Sequence, residues 1–292
     1  MTTIETYQNG NCVVEILSDG TKTRTWDGIA APLFPESIDL KITDYCDAGC
    51  PWCHEKSTKR GRHADVDDVL SILRQLPRGV ELAIGGGNPL DHPQLGEILE
   101  AAKSMGLVAN ITVNAVHIFD SINRIKTFQK YGLIHGVGIS YDKEKSDAIF
   151  SAAAVLDHVI IHAIAGVHNY FDIRKLAADF KILVLGYKQH GFGIKYYQIK
   201  PINEKLSVWK YWIADLMRQG HISFDNLAIE QLRIQSKIQA DAWDRLYMGD
   251  EGQFTMYVDA VTRTFAISST SETRIPLSES IRKDFQVVRG NK

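Results

Sequence analysis

Ser37-Ile-Asp-Leu-Lys-Ile-Thr43, followed two residues later by Cys46-Asp-Ala-Gly-Cys50-Pro-Trp-Cys53-His54, is the stretch on which the reading of this chain turns. The first part is strand-like, and the second packs three of the four cysteines into the loop just beyond the strand's end. Thiolates that close together usually serve metal, redox or cofactor chemistry. Three readings compete. Cys50-Pro-Trp-Cys53-His54 alone is a C-x-x-C-H haem-attachment pattern, and Cys50-Pro-Trp-Cys53 is a thioredoxin-like dithiol. With Cys46 included the string becomes C-x3-C-x2-C, which can hold three corners of a [4Fe–4S] cube, and no obvious fourth cysteine closes the site. One iron is then open to a ligand.

Composition narrows the choice. At 292 residues with 45% hydrophobic content, the chain is long enough for one barrel-sized domain or two smaller ones. Met1-Thr-Thr-Ile-Glu-Thr-Tyr-Gln-Asn-Gly10 lacks the basic start and apolar run of a signal peptide, and no later stretch is apolar enough to span a membrane. The expected location is cytoplasmic. Haem attachment through C-x-x-C-H ordinarily needs export, and a reducing compartment disfavours structural disulfides, so the haem reading recedes. With 33 Lys+Arg against 35 Asp+Glu, the net charge of -2 gives no general electrostatic reason to expect nucleic-acid binding.

Outward from the cysteine loop the pattern alternates. Helices are expected at about 66–75, 92–105, 119–131, 144–155 and 171–179, between β-branched apolar strands at about 80–85, 108–113, 135–140, 158–164 and 181–187. Repeated βα units imply a parallel sheet wound in one direction, hence an α/β fold of the partial (β/α)6 TIM-barrel type, with an open doubly wound sheet as the alternative. Asp91-His-Pro-Gln-Leu-Gly-Glu-Ile-Leu-Glu100 carries a capping Asp and a proline in the first turn. Before the barrel, Cys12–Leu17 and Thr21–Trp26 flank Ser18-Asp19-Gly20 and predict an N-terminal β-hairpin extension over 1–35. The barrel is expected over 36–225, with a loop at Gln189–Gly193, a strand at Tyr196–Ile199 and an aromatic-rich helix at Ser207–Arg218. A C-terminal helical and β-hairpin extension or cap follows over 226–292, its hairpin in Phe254–Ile267.

A second motif shares the rim with the first. Ala83-Ile-Gly-Gly-Gly-Asn-Pro89 follows the second strand, as the cysteine loop follows the first, and glycines there let another molecule approach the backbone. A simple turn is the competing reading. In a parallel sheet both loops emerge at the carboxyl ends of adjacent strands, where α/β folds place their ligands.

Together these motifs resemble the radical S-adenosylmethionine (SAM) enzyme superfamily. Its signature, C-x3-C-x2-C with an aromatic residue before the last cysteine, is matched by Cys46, Cys50, Trp52 and Cys53, and a GGE-type motif follows at the end of strand two. The resemblance covers roughly residues 36 to 200. It implies that Cys46, Cys50 and Cys53 ligate a single [4Fe–4S] cluster, that SAM chelates the open iron, and that reductive cleavage yields a 5′-deoxyadenosyl radical, which abstracts hydrogen from the substrate. It also implies that Trp52 packs near adenine and that Gly86, Gly87 and Asn88 meet the methionine amino group, largely through backbone oxygens. The family more often has Glu where Asn88 stands. Ser140, ending Gly136-Val-Gly-Ile-Ser140, and Asn114 are further candidates for SAM, against local backbone-capping roles for both. His158–Ala165 resembles the family's apolar adenine-side strand.

No residue is assigned a catalytic role in the hydrogen abstraction. His54 could tune the cluster, and Tyr141, Tyr187 and Lys188 are substrate-side candidates. Cys12 reads as a buried thiol, or as a hydrogen-atom donor if the hairpin folds over the barrel mouth. No cysteine follows Cys53, so an all-cysteine auxiliary cluster is not expected within this chain. A peptide or protein substrate is favoured by the hairpin extensions, over a nucleoside or small metabolite. A flavodoxin or ferredoxin is the expected electron donor, and no membrane partner is expected. A zinc module held by Cys46, Cys50, Cys53 and His54, and a thioredoxin-like dithiol protein, are the alternatives of another class.

Overall fold

The computed structural model describes residues 2–290, so the outermost residues of the expected 1–35 and 226–292 segments lie outside the described residues. Three antiparallel strands come first: β1 (Thr3–Asn9), β2 (Cys12–Leu17) and β3 (Lys22–Trp26). A βα series follows: β4 (Ser37–Thr43), α1 (Val66–Leu73), β5 (Glu81–Gly86), α2 (Leu95–Ser104), β6 (Val108–Asn114) and α3 (Ala115–Lys130). It continues through β7 (Gly136–Ser140), α4 (Ser146–Ala153), β8 (Val159–Ile164), α5 (Tyr170–Leu176) and β9 (Lys181–Leu185). Helices α6 (Gly193–Ile199) and α7 (Ile202–Met217) then lead to β10 (Ile222–Phe224), α8 (Asn226–Leu232) and α9 (Ala240–Leu246). The chain finishes with β11 (Thr255–Asp259), β12 (Thr264–Ala266), β13 (Ile275–Pro276) and α10 (Ile281–Gly290).

The main sheet has the order β10-β9-β8-β7-β6-β5-β4-β11-β12-β13. Its strands from β10 to β4 are parallel, β11 joins parallel to β4, and β12 and β13 run antiparallel. Among the described residues β10 and β13 remain edges, so the sheet curls into an open, partial barrel. Strand alternation sets what faces where. Ile38, Leu40 and Ile42 of β4 are at most 1% exposed and belong to the main hydrophobic core. Asp39 and Lys41, between them, line the interior cavity. Likewise Ala109, Ile111 and Val113 of β6 join that core, while Thr112 and Asn114 line the cavity. The barrel therefore has a polar interior, unlike a fully packed one.

The N-terminal sheet is fastened at the amino ends of the strands. Arg24 makes a bidentate pair with Glu36 (2.6 and 2.7 Å), just before β4, with the side chains 7% and 1% exposed. Lys22 pairs with Glu81 at the start of β5, and Lys181 at the start of β9 donates to the Asp19 carbonyl (3.2 Å). Cys12 is fully buried in this sheet, at the opposite end of the strands from the cysteine loop. The hydrogen-donor reading of Cys12 therefore falls, because a thiol packed beneath the barrel cannot reach its mouth.

Several expectations need correction. Tyr196–Ile199 is the end of helix α6, not a strand. With β10 beside β9 no sheet edge is free there, and the helical turn brings Tyr196 against Trp52 (5.4 Å between centroids) and Tyr197 toward Tyr187 (5.9 Å). Tertiary packing overrides the β propensity of that run. Asp91 does not cap α2, which starts at Leu95. His92, preceding Pro93, is extended (ψ 122°), as the proline demands. Strand β1 and strand β10 have no counterpart in the sequence reading. The expected C-terminal hairpin exists as β11–β12, but it is built into the main sheet.

Candidate active site at the carboxyl ends of the strands

The cysteine loop is shaped by its own backbone. Cys46 N donates to Thr58 O (3.1 Å), Asp44 N to Arg62 O (2.8 Å), and Cys53 N to Cys50 O (3.1 Å), closing the turn that carries Trp52. The glycine loop docks directly on it: Gly87 N donates to Thr43 O and Asn88 N to Tyr45 O, each at 2.7 Å. Only glycine permits this approach, since a Cβ on Gly87 would stand 2.7 Å from the Tyr45 carbonyl carbon and closer still to its oxygen. A third loop completes the seat. Phe192 N donates to Cys53 O (2.9 Å), and Gly191, at φ +60°, leaves no room for a Cβ against the Cys53 and His54 carbonyls. Sequence reading identified Gln189–Gly193 only as a loop, and its paired glycines beyond a strand end were the available signal.

These loops cover a cavity of ≈ 440 Å³. Cys46, Cys50 and Cys53 line it together with Trp52, Gly86, Gly87, Asn114 and Ser140, so the structure brings these candidates to one place. Asn88 is the exception. Its side chain is buried outside the lining and donates to Asp91 (2.8 Å), leaving its Oδ1 without a partner among the described residues. Asn114 fills both roles weighed for it: its Oδ1 caps α3 (2.9 Å from Val116 N), and its Nδ2 donates to the Cys50 thiol (3.3 Å).

Charge is distributed unevenly around the cavity. Burial, with the neighbouring Cys53 and Cys46, pushes the Cys50 thiol up to about 11, and burial also raises Cys46. Beneath the loop, Lys41 pairs with Asp44 (2.6 Å), Glu55 (2.9 Å) and Asp259 (3.2 Å). Glu55 in turn accepts from Tyr257 (3.1 and 3.2 Å). Burial works against the Glu55 charge, but the hydrogen bond from His54 and the charges of His54 and Lys41 prevail, holding its carboxyl well below the usual range. Across the cavity Lys188 contacts His54 (3.3 Å) and Ser269 (2.8 Å). Asp39, Asp225 and Glu251 face that lysine electrostatically, each raised chiefly by burial. Lys41, Glu55, Asp39 and Glu251 were not foreseen, because the partners that complete their network, Asp259, Tyr257 and Lys188, come from distant parts of the chain.

The donor chemistry fits an iron–sulfur cluster better than zinc. Three free thiols on one cavity wall are a thiolate set with a missing fourth ligand, and His54 is engaged with Glu55 and Lys188. Among the described residues no His, Cys, Asp or Glu group already stands as a preformed metal cage.

Comparison with known proteins agrees. A model of the radical SAM superfamily matches residues 40–169. A PqqA peptide cyclase from Rhodopseudomonas palustris is 30% identical over 111 residues, which are 37% of this chain and 29% of that protein. The Bradyrhizobium diazoefficiens PqqA peptide cyclase is 29% identical over 111 residues, covering 37% and 28%. In structure, Streptococcus suis SuiB bound to S-adenosylmethionine superposes with a TM-score of 0.57 at 16% identity, over 84% of this chain and 64% of that one. SuiB bound to its precursor peptide SuiA gives 0.58 at 17% identity, over 84% and 63%. The SuiB likeness is one of fold, and the chain spans less than a third of the PqqA cyclases it matches. Superfamily members use a [4Fe–4S] cluster and SAM, and no helix among the described residues is long and apolar enough to cross a membrane. Residues 40–169, the segment that carries both the cysteine and glycine loops, match the radical SAM superfamily.

Proposed function

We propose that this chain is a radical SAM enzyme acting on a peptide or protein, with Cys46, Cys50 and Cys53 holding the cluster. The observation that carries the reading is the convergence of all three thiols, Gly86, Gly87, Asn114 and Ser140 on one cavity at the carboxyl ends of the strands. When bound, the cluster and SAM supply a one-electron cleavage that generates a 5′-deoxyadenosyl radical capable of taking hydrogen from an unactivated C–H bond. The chain's own residues orient and shield that chemistry. Gly86 and Gly87 give the methionine end access to backbone, Asn114 and Ser140 offer polar contacts, and Trp52 provides an aromatic surface for adenine. Asn88 contributes through its backbone alone, consistent with its side chain being tied to Asp91.

Substrate enters from a second, outer cleft of ≈ 970 Å³ that shares Lys188 and Glu251 with the inner cavity. Its wall carries Trp243 and Tyr247, stacked at 4.5 Å. We propose the same division into an N-terminal extension (1–35), a reaction barrel (36–225) and a C-terminal extension (226–292) that lends β11–β13 to the main sheet and Trp243 and Tyr247 to the cleft. A peptide is favoured by the kinship to peptide cyclases and the fold shared with a precursor-peptide modifier. A cytoplasmic flavodoxin or ferredoxin would deliver the electron.

Anaerobic reconstitution tests the proposal. The protein should turn brown, bind about four irons per chain, and convert SAM to 5′-deoxyadenosine with dithionite. Cys46→Ala should abolish all three properties. A colourless zinc protein, or activity that survives in Cys46→Ala as a Cys50/Cys53 dithiol, would overturn it.

A further inference from the structure

The run that follows the cysteines, residues 54–63, carries an unbalanced charge. Lys56, Lys59, Arg60 and Arg62 are all exposed, and none of their side chains makes an ion pair or hydrogen bond among the described residues. Glu55, the carboxylate of that run, is buried against Lys41 (2.9 Å). Asp47, exposed on the cysteine loop itself, is taken by His117 (2.5 Å). In a chain whose net charge is only -2, this is a local concentration of one sign. Like charges so close together repel, and a negative partner relieves them.

These cations do not serve the cavities, since none of the four lines the inner cavity or the outer cleft. They are tied to the thiols through the backbone instead. Cys46 N donates to Thr58 O (3.1 Å), Thr58 N to Asp44 O (3.1 Å) and Asp44 N to Arg62 O (2.8 Å), while Gly61 lies against the Asp44 carbonyl with no room for a Cβ. Lys56 holds φ +55°, a left-handed conformation that glycine takes more readily, so a charged side chain stands where the backbone alone favours none. On the other flank of the cysteine loop, Phe192, whose N–H donates to Cys53 O, and Ile194 are 40% and 45% exposed. Apolar groups beside a set of unpaired cations are the make-up of a small, charge-steered interface.

We infer that this face, around the outside of the cysteine loop, is the docking surface for a small acidic flavodoxin. The four cations match its acidic surface, and Phe192 and Ile194 match the flat, apolar edge of an exposed flavin. Docked there, reduced flavodoxin gives up one electron to the cluster held by the adjoining thiols, and no bond forms or breaks in the transfer. Four cations on one short loop are few for a nucleic acid, whose binding neutralises many phosphates. The inference rests on the radical SAM reading above.

The test uses cluster-loaded protein under anaerobic conditions, with calorimetric binding of flavodoxin and stopped-flow reduction of the cluster as readouts. The variant is Lys59→Glu/Arg60→Glu. Its control of equal charge is Lys126→Glu/Lys175→Glu, in the later turns of α3 and α5, away from the carboxyl rim. At about 20 mM salt the first variant should bind flavodoxin and accept its electron about tenfold or more slowly, and the control should stay within about twofold of wild type. The wild-type rate should also fall about tenfold on going to about 300 mM salt, where exposed charges are screened, and that of the first variant should barely change. Formation of 5′-deoxyadenosine with excess dithionite, which needs no docking, should match wild type in both variants. Equal slowing of the two variants, or a flavodoxin-driven wild-type rate insensitive to salt, overturns the inference, the second even if Lys59→Glu/Arg60→Glu fails to fold. Patch-dependent reduction by a ferredoxin but not by flavodoxin, or patch-dependent binding of tRNA with flavodoxin kinetics unchanged, overturns the choice of partner. In each of these cases dithionite-driven cleavage of SAM leaves the proposed function standing; if dithionite yields none with wild type, the proposed function fails as well.

Discussion

Gly85 and Gly87 sit two positions apart in the same motif, and the structure gives them opposite sensitivities. A methyl on Gly85 meets nothing within 4 Å, whereas one on Gly87 falls 2.7 Å from the Tyr45 carbonyl carbon and 3.1 Å from that of Asp44. Real Cβ atoms essentially never come under 3.0 Å, and the obstacle is backbone, so in Gly87→Ala the cysteine loop must move by roughly an ångström. Overpacking of that kind costs about 1–3 kcal/mol. At the midpoint, about 2 kcal/mol lowers Tm by roughly 4–8 °C on the scaling for chains of 150–250 residues. Gly85→Ala should leave Tm unchanged or slightly raised, since alanine restricts the unfolded chain and suits a strand better. The assay is thermal unfolding of the apo proteins by circular dichroism, followed by iron content after reconstitution. Gly87→Ala should melt earlier and load less iron. Gly85→Ala should melt normally and load iron, but bind SAM more weakly, because its methyl enters the cavity. If both variants melt within a degree of wild type and load iron equally, the glycine loop does not position the cysteine loop.

Glu55→Gln removes one of the carboxylates on Lys41 but keeps an acceptor for Tyr257, so urea unfolding at pH 7 should show a loss of about 2–3 kcal/mol, at or below the low end for a broken buried pair because Asp44 and Asp259 remain. Glu55 is depressed below its ordinary value of 4.5. Its contribution is therefore complete above that value and lost as pH falls below it, so the gap between wild type and Glu55→Gln should narrow under acid; a constant gap refutes the assignment. Asn114→Ser should retain the α3 cap, with stability within about 0.5 kcal/mol of wild type, while losing the reach to Cys50. The loaded variant should then show a lower cluster potential by anaerobic titration, because a hydrogen bond to sulfur stabilises the reduced state. An unchanged potential would leave Asn114 as a cap only.

What could be read in the sequence was what repeats locally. The strand and helix periodicities from Ser37 to Leu185 placed the βα units within a few residues, because each element buries a regular apolar face against its neighbours. The three cysteines and the glycine loop were legible because connectivity alone puts successive parallel strands side by side. What escaped depends on contacts that sequence does not order. Asp39 and Lys41 read as ordinary polar positions of a strand, and only β11, arriving beside β4, gives Lys41 its Asp259 partner. Asn88 was expected to act largely through its backbone, but nothing in the sequence showed that Asp91, three residues on, would hold its side chain instead of capping α2. Gly191 needed its role against Cys53 to be seen in space.

The pairing of β11 with β4 also imposes an order of events on biosynthesis. Glu55 waits for a tyrosine 202 residues further along the chain. At a synthesis rate of about 5–20 residues per second, that interval is roughly 10–40 s. Through it the first barrel strand has one neighbour instead of two, and Lys41 lacks a carboxylate. The cysteine loop has its local turns before then, but gains its final restraint only when the last strands close over it. Contacts of such long sequence separation form late, after the loop-closure entropy has been met. The final restraint on the cysteine loop is thereby tied to the synthesis of β11, long after the three thiols themselves have been made.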